Sequence, residues 1–102
     1  MRFEDFKTNV ELWAAERKIY QNGKPVSQLL KAVAEMGELA DAFNKGDRDG
    51  MVDGVGDVLV CLVNFAYMQG LDMEACMGAA WDEIKDRRGY LAESGVFVKE
   101  GS

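Results

Sequence analysis

Between Val55 and Met68 almost every residue is apolar: Val58, Leu59, Val60, Cys61, Leu62, Val63, Phe65 and Ala66 stand close together. As a helix this stretch is apolar nearly all round, so most of its sides must be covered by a bundle core or by another copy of the chain. A chain of 102 residues has little to cover it with. A domain of this size buries only roughly 65% of the surface that its unfolded chain exposes. The stretch therefore predicts helices packed around a central one, with self-association to finish the burial.

The rest of the sequence supplies the partners. Phe3, Phe6, Val10, Trp13 and Tyr20 recur at three- and four-residue steps, with Arg17 in the remaining slot, and predict a first helix. Asn22-Gly23-Lys24-Pro25 stops it, and Pro25, the only proline, suits the start of a second helix. That helix is expected to run to about Phe43, ahead of Lys45-Gly46-Asp47. The apolar helix covers about Asp49 to Gln69, with Gly70 at its end. A fourth opens on the N-cap Asp72 and reaches about Arg88, where Gly89 terminates it. Val96-Phe97-Val98 reads as a short extended tail. The expectation is an all-α fold: a four-helix antiparallel bundle over residues 1–102 as one domain, completed as a homodimer or homotetramer.

There is no histidine. That removes Ser-His-Asp and Cys-His catalysis and the usual zinc sites. A metal would have to be held by carboxylate oxygens, which favours Mg2+, with Mn2+ as a substitute. The net charge of −6 argues against partners such as nucleic-acid polymers or anionic membranes. The longest unbroken apolar run, Val58–Val63, is far short of the ~20 residues that span a bilayer. Met1 to Asp5 lacks the apolar stretch of a signal peptide, so a cytoplasmic protein is expected. Cys61 and Cys76 form no CxxC pair and read as reduced core cysteines.

Two acidic stripes carry the chemistry. On the second helix Lys31, Glu35 and Glu38 fall within about 60° of one another, with Gln28 beside them. On the third, Asp53, Asp57 and Asn64 share a stripe about 40° wide. The first stripe alone is also what a solvated helix face looks like. Asp57, however, interrupts a helix that must be buried, and a buried carboxylate without a partner costs several kcal/mol or loses its charge. A cation shared with Glu35 and Glu38 would supply the partner. A salt bridge to Lys31 or Lys85, or an opening onto solvent, would also serve.

The same residues resemble the MazG-like family of all-α nucleoside triphosphate pyrophosphohydrolases. That family carries Glu-Glu-x-x-Glu on one helix and Glu-x-x-Asp on the next. Here the first motif stands as Ala34-Glu35-Met36-Gly37-Glu38 and the second as Gly54-Val55-Gly56-Asp57. Gln28 and Lys31 upstream, Gly70-Leu71-Asp72, and the late segment Trp81 to Arg88 extend the likeness over about Trp13 to Lys99. The resemblance implies Mg2+-dependent hydrolysis of a nucleoside triphosphate to the monophosphate and pyrophosphate, with Glu35, Glu38 and Asp57 as catalytic metal ligands. It also implies Lys31, Lys85 and Arg88 as phosphate contacts and Trp13 as a surface for the base. For Lys85 and Arg88 a helix end decorated with cations is the plainer reading, and for Trp13 an ordinary core aromatic.

Ala34 and Gly54 depart from the family pattern. Asp53, next to the lost Glu, could replace it as a ligand, and replacing Gly54 itself should stabilise the helix by up to ~1 kcal/mol. Two other functions remain compatible with the sequence. One is a nucleotide-binding module that no longer hydrolyses; the other is a structural protein that pairs through its apolar helix.

Overall fold

The computed structural model describes residues 1–101. Five helices and two short strands follow in order: α1 (Phe3–Glu16), α2 (Ile19–Asn22), α3 (Pro25–Lys45), α4 (Arg48–Met68), α5 (Met73–Ile84), β1 (Gly89–Leu91) and β2 (Phe97–Lys99). They form two compact units, Met1–Leu71 and the residues from Asp72 onward.

In the first unit α3 and α4 are the principal pair, joined through Gly46 and Asp47, and α1 packs on α4. Gly46 ends α3 in the left-handed conformation, φ 69°. Asp47 then starts α4 by accepting the Gly50 backbone N–H at 3.0 Å. The core lies where α1 and α3 meet α4: Val10, Ala14, Ala32, Ala42, Cys61, Val63 and Ala66 are buried. α4 is long and apolar enough, by length and composition alone, to cross a membrane. A helix packed on two sides by partners needs the same composition.

The expected first helix is broken. Lys18 takes a left-handed conformation, φ 65°, and starts the separate turn α2. The kink swings Tyr20 onto α4, where its ring stacks on Tyr67 at 4.0 Å and its hydroxyl donates to Asn64 Oδ1 at 2.7 Å. Asn64, 2% exposed, is thereby satisfied as a core residue rather than a member of the acidic stripe. Burial, with Glu11 and Tyr67 nearby, pushes the Tyr20 phenol up to about 12.

In the second unit Asp72 caps α5 through the Glu74 backbone N–H at 3.0 Å, as expected. The helix stops at Ile84 rather than Arg88, because Lys85 and Asp86 turn the chain and Arg87 N–H closes on the Ile84 carbonyl at 2.9 Å. The extended tail is one strand of an antiparallel hairpin in which Tyr90 faces Val98 and Leu91 faces Phe97. Cys76, expected in a core, is exposed, and Trp81 is 60% exposed. This short helix has almost no buried side chain of its own.

Candidate active site

The site grows out of the way α3 and α4 touch. α3 turns Ala32, Leu39 and Ala42 toward α4, and α4 answers with Gly50 and Gly54. A Cβ at Gly54 would stand 3.0 Å from the Leu39 Cβ, and one at Gly50 would stand 3.0 Å from the Ala42 Cβ. The helices approach this closely because those side chains are missing. Glu35 lies one turn from Ala32 and one from Leu39, so it is drawn into the same seam.

The seam sets the chemistry of Glu35. Its Oε2 is fully buried and has no hydrogen-bond partner, a state that costs free energy unless a proton or a cation relieves it. The Glu38 carboxyl beside it, close enough to share a proton, holds the Glu35 carboxyl above the usual carboxylate range; partial burial and the charges of Glu38 and Asp57 add to this. The Cys61 thiol is raised as well, by burial first, with Lys31 opposing and Glu35 and Asp57 reinforcing. Lys31, Glu35, Asp57 and Cys61 are therefore electrostatic neighbours. No ion pair joins Asp57 to Lys31 among the described residues, and Lys85 is held by Asp82 at 3.1 Å.

Two cavities meet at Asp57. One, of about 270 Å3, is lined by Glu35, Glu38, Asp41, Lys45, Asp53 and Asp57, with the cap Asp47 also at its wall. The other, of about 570 Å3, is lined by Phe6, Asn9, Trp13, Lys31, Asp57 and Val60 among others. The first is a carboxylate basin; the second is walled by aromatic and aliphatic carbon. Trp13 is 45% exposed and faces the second cavity instead of a core. Arg17 lies over its ring at 4.5 Å.

The structure thus brings Glu35, Glu38, Asp53 and Asp57 to one basin and Lys31 and Trp13 to its neighbour. Gln28, half-buried on α3, lines neither cavity. Lys85 and Arg88 belong to the second unit, and the helix expected to run to Arg88 ends before both. Lys85 is the C-cap of α5 and Arg88 lies beyond it, so no helical turn relates them. Sequence reasoning missed Asp41 and Lys45, which continue the Glu38 face by one and two turns. It also missed Asn9, one turn ahead of Trp13. Helical spacing from residues already singled out was the available signal.

The basin suits a hard divalent cation. Its donors are carboxylate oxygens, and the unpartnered Glu35 Oε2 is aimed into the seam where such an ion would relieve it. Among the described residues no three acids converge tightly enough to grip one ion as they stand.

Comparison with known proteins agrees with this chemistry. The family model for the MazG nucleotide pyrophosphohydrolase domain matches residues 24–91, which include all four acids. An uncharacterised 18.2 kDa protein from the rep–hol intergenic region of Haemophilus phage HP1 (strain HP1c1) is 33% identical over 64 residues, covering 63% of this chain. The chain spans only 39% of the length of that relative. Among solved structures, a MazG-like pyrophosphohydrolase of cyanophage S-2L superposes with a TM-score of 0.71 over 98% of each chain at 21% identity. That protein was solved with dGDP and three catalytic Mn2+ ions per active site. At this identity the likeness speaks for the fold.

Proposed function

Because the chain belongs to the MazG nucleotide pyrophosphohydrolase family, we propose that it hydrolyses a nucleoside triphosphate, ribo or deoxy, to the monophosphate and pyrophosphate. Mg2+ serves in this reading, and Mn2+ can replace it. The observation that carries it is the meeting of two unlike cavities at Asp57. An acidic basin and an aromatic pocket on either side of one carboxylate match a substrate with phosphates at one end and a base at the other. The dGDP and Mn2+ of the cyanophage protein are of the same two chemical kinds.

Glu35, Glu38 and Asp57, with Asp53 in place of the lost Glu, hold the cation. A divalent ion bound there neutralises phosphate charge and lowers the pKa of a bound water. The chain's own residues do the rest. Water adds to the α-phosphorus, the bond to the bridging oxygen breaks, and pyrophosphate leaves. The proton that the attacking water releases passes to solvent. Lys31, on the wall of the aromatic cavity, contacts phosphate oxygens; Trp13 and Phe6 receive the base. By the family resemblance Lys85 and Arg88 remain candidate phosphate contacts.

A second copy of the chain completes the assembly, and the whole chain serves as one domain in the cytoplasm. α3 carries Val26, Leu29, Val33, Met36, Ala40 and Phe43 at heptad a and d spacing, and they are exposed, Val33 and Phe43 at 70% each. Across the hairpin α4 exposes Val52, Val55 and Leu62. Two such hairpins facing each other make a four-helix bundle and cover both seams. A homodimer is the minimum and a homotetramer remains compatible.

The test is a screen for pyrophosphate release over the ribo- and deoxynucleoside triphosphates, with and without Mg2+ or Mn2+. Cation-dependent release supports the proposal. Nucleotide-dependent thermal stabilisation with no release would instead mark a binding module. No response to either cation or nucleotide would leave a structural oligomerisation protein.

A further inference from the structure

The aromatic cavity contains one neutral hydrogen-bonding side chain, and it belongs to Asn9. The other polar side chains on its wall are Lys31 and Asp57, both charged, and Asp57 stands where the cavity meets the acidic basin. Phe6, Asn9, Val10 and Trp13 lie three, four and seven residues apart on α1, so one helical face lines the pocket. The ring of Trp13 and that of Phe6 accept any base, because every base offers a π-face. They cannot tell one base from another. Asn9 can, since its side-chain amide presents an acceptor oxygen and a donor NH2 side by side. Such an amide pairs with adjacent donor and acceptor groups on a base edge, as asparagine does with adenine. Asn9 is exposed on the pocket wall; a base seated on the apolar wall would cover it, and one that cannot match it would leave the amide buried and unpaired.

We infer that Asn9 is the residue that reads the edge of the nucleobase and sets the base preference of the site. The inference rests on the proposal that the aromatic cavity receives the base of a nucleotide. If Asn9 were only a solvated residue on the α1 surface, its replacement would leave selectivity untouched. Asn9 accepts or donates no hydrogen bond to another side chain among the interactions resolved here.

The experiment compares Asn9→Leu and Asn9→Asp with the natural protein, each checked for folding by its helical circular dichroism. Binding of the α,β-methylene triphosphates of the four bases, in ribo and deoxy form, is measured by calorimetry in Mn2+, so the readout does not depend on turnover. Turnover of the four natural triphosphates is followed in parallel. The natural protein is expected to bind one base about tenfold or more tighter than the least favoured. Asn9→Leu, close in size and unable to hydrogen-bond, should collapse that spread to within about twofold to threefold. Asn9→Asp replaces the donor by a second acceptor and should move preference toward guanine, whose N1–H and N2–H are adjacent donors. If both variants keep the natural ranking, with all four affinities changed by a common factor, Asn9 does not read the base. A natural protein that binds all four equally overturns the inference too. Selective binding without hydrolysis would leave Asn9 as reader and refute the enzymatic proposal alone, whereas failure of every nucleotide to bind overturns both.

Discussion

Glu35 is the residue on which the site turns, because its buried oxygen has no partner and its neighbours are acids. A proton bound more tightly in the folded state stabilises the fold below the ordinary carboxylate range. That contribution is lost as pH rises through the raised value. Cation binding runs the other way, since the ion competes with that proton. Without divalent cations the melting temperature should therefore fall as pH climbs through this window, while the extra stability given by Mn2+ grows. Glu35→Gln should melt higher than the natural protein at pH 7 without metal and should lose the Mn2+ shift; thermal scans with and without the ion read both. Asp53→Ala separates ligand from bystander. As a ligand its loss cuts turnover by orders of magnitude with the fold intact. It does not cap α4, since Asp47 does, so the ~1 kcal/mol stability loss of a removed cap is not expected. All four acids were legible in the sequence from helical spacing and motif. The orphaned oxygen was not, because it depends on how closely two helices approach.

At the scale of elements, the α3–α4 hairpin shows what a side chain at position 54 would meet. Sequence alone suggests that filling Gly54 would stabilise the helix, but a Cβ there meets Leu39 at 3.0 Å and its backbone Cα at 3.3 Å. Overpacking costs about 1–3 kcal/mol, against a propensity gain of about 1 kcal/mol from Gly to Ala. Gly54→Ala should therefore lower stability by about 1 kcal/mol in urea unfolding; a gain would mean that Leu39 moves aside freely. Gly50 and Gly54, four apart on one helix, were the sequence signal for this contact. The α3 face of Leu29, Ala32, Val33, Met36, Ala40 and Phe43 is readable in the sequence as apolar, yet all of it except Ala32 is exposed. Small Ala32 and Ala42 occupy the inner side instead. The break at Lys18 and the C-terminal hairpin escaped periodicity, since neither a single left-handed residue nor a three-residue strand leaves a pattern long enough to read.

For the whole molecule, the exposed seams of α3 and α4 predict self-association. Val33→Glu places a charge in the middle of the proposed interface, and sedimentation should then show a smaller species than the natural protein at micromolar concentration. A natural protein already monomeric there would contradict the bundle. The central claim concerns which phosphorus is attacked, and it is tested most directly by hydrolysis in oxygen-18 water with the preferred triphosphate and Mg2+, followed by mass analysis of both products. Attack at the α-phosphorus predicts one heavy oxygen in the nucleoside monophosphate and none in the pyrophosphate. Label in the pyrophosphate, or release of inorganic phosphate with a nucleoside diphosphate, would contradict it.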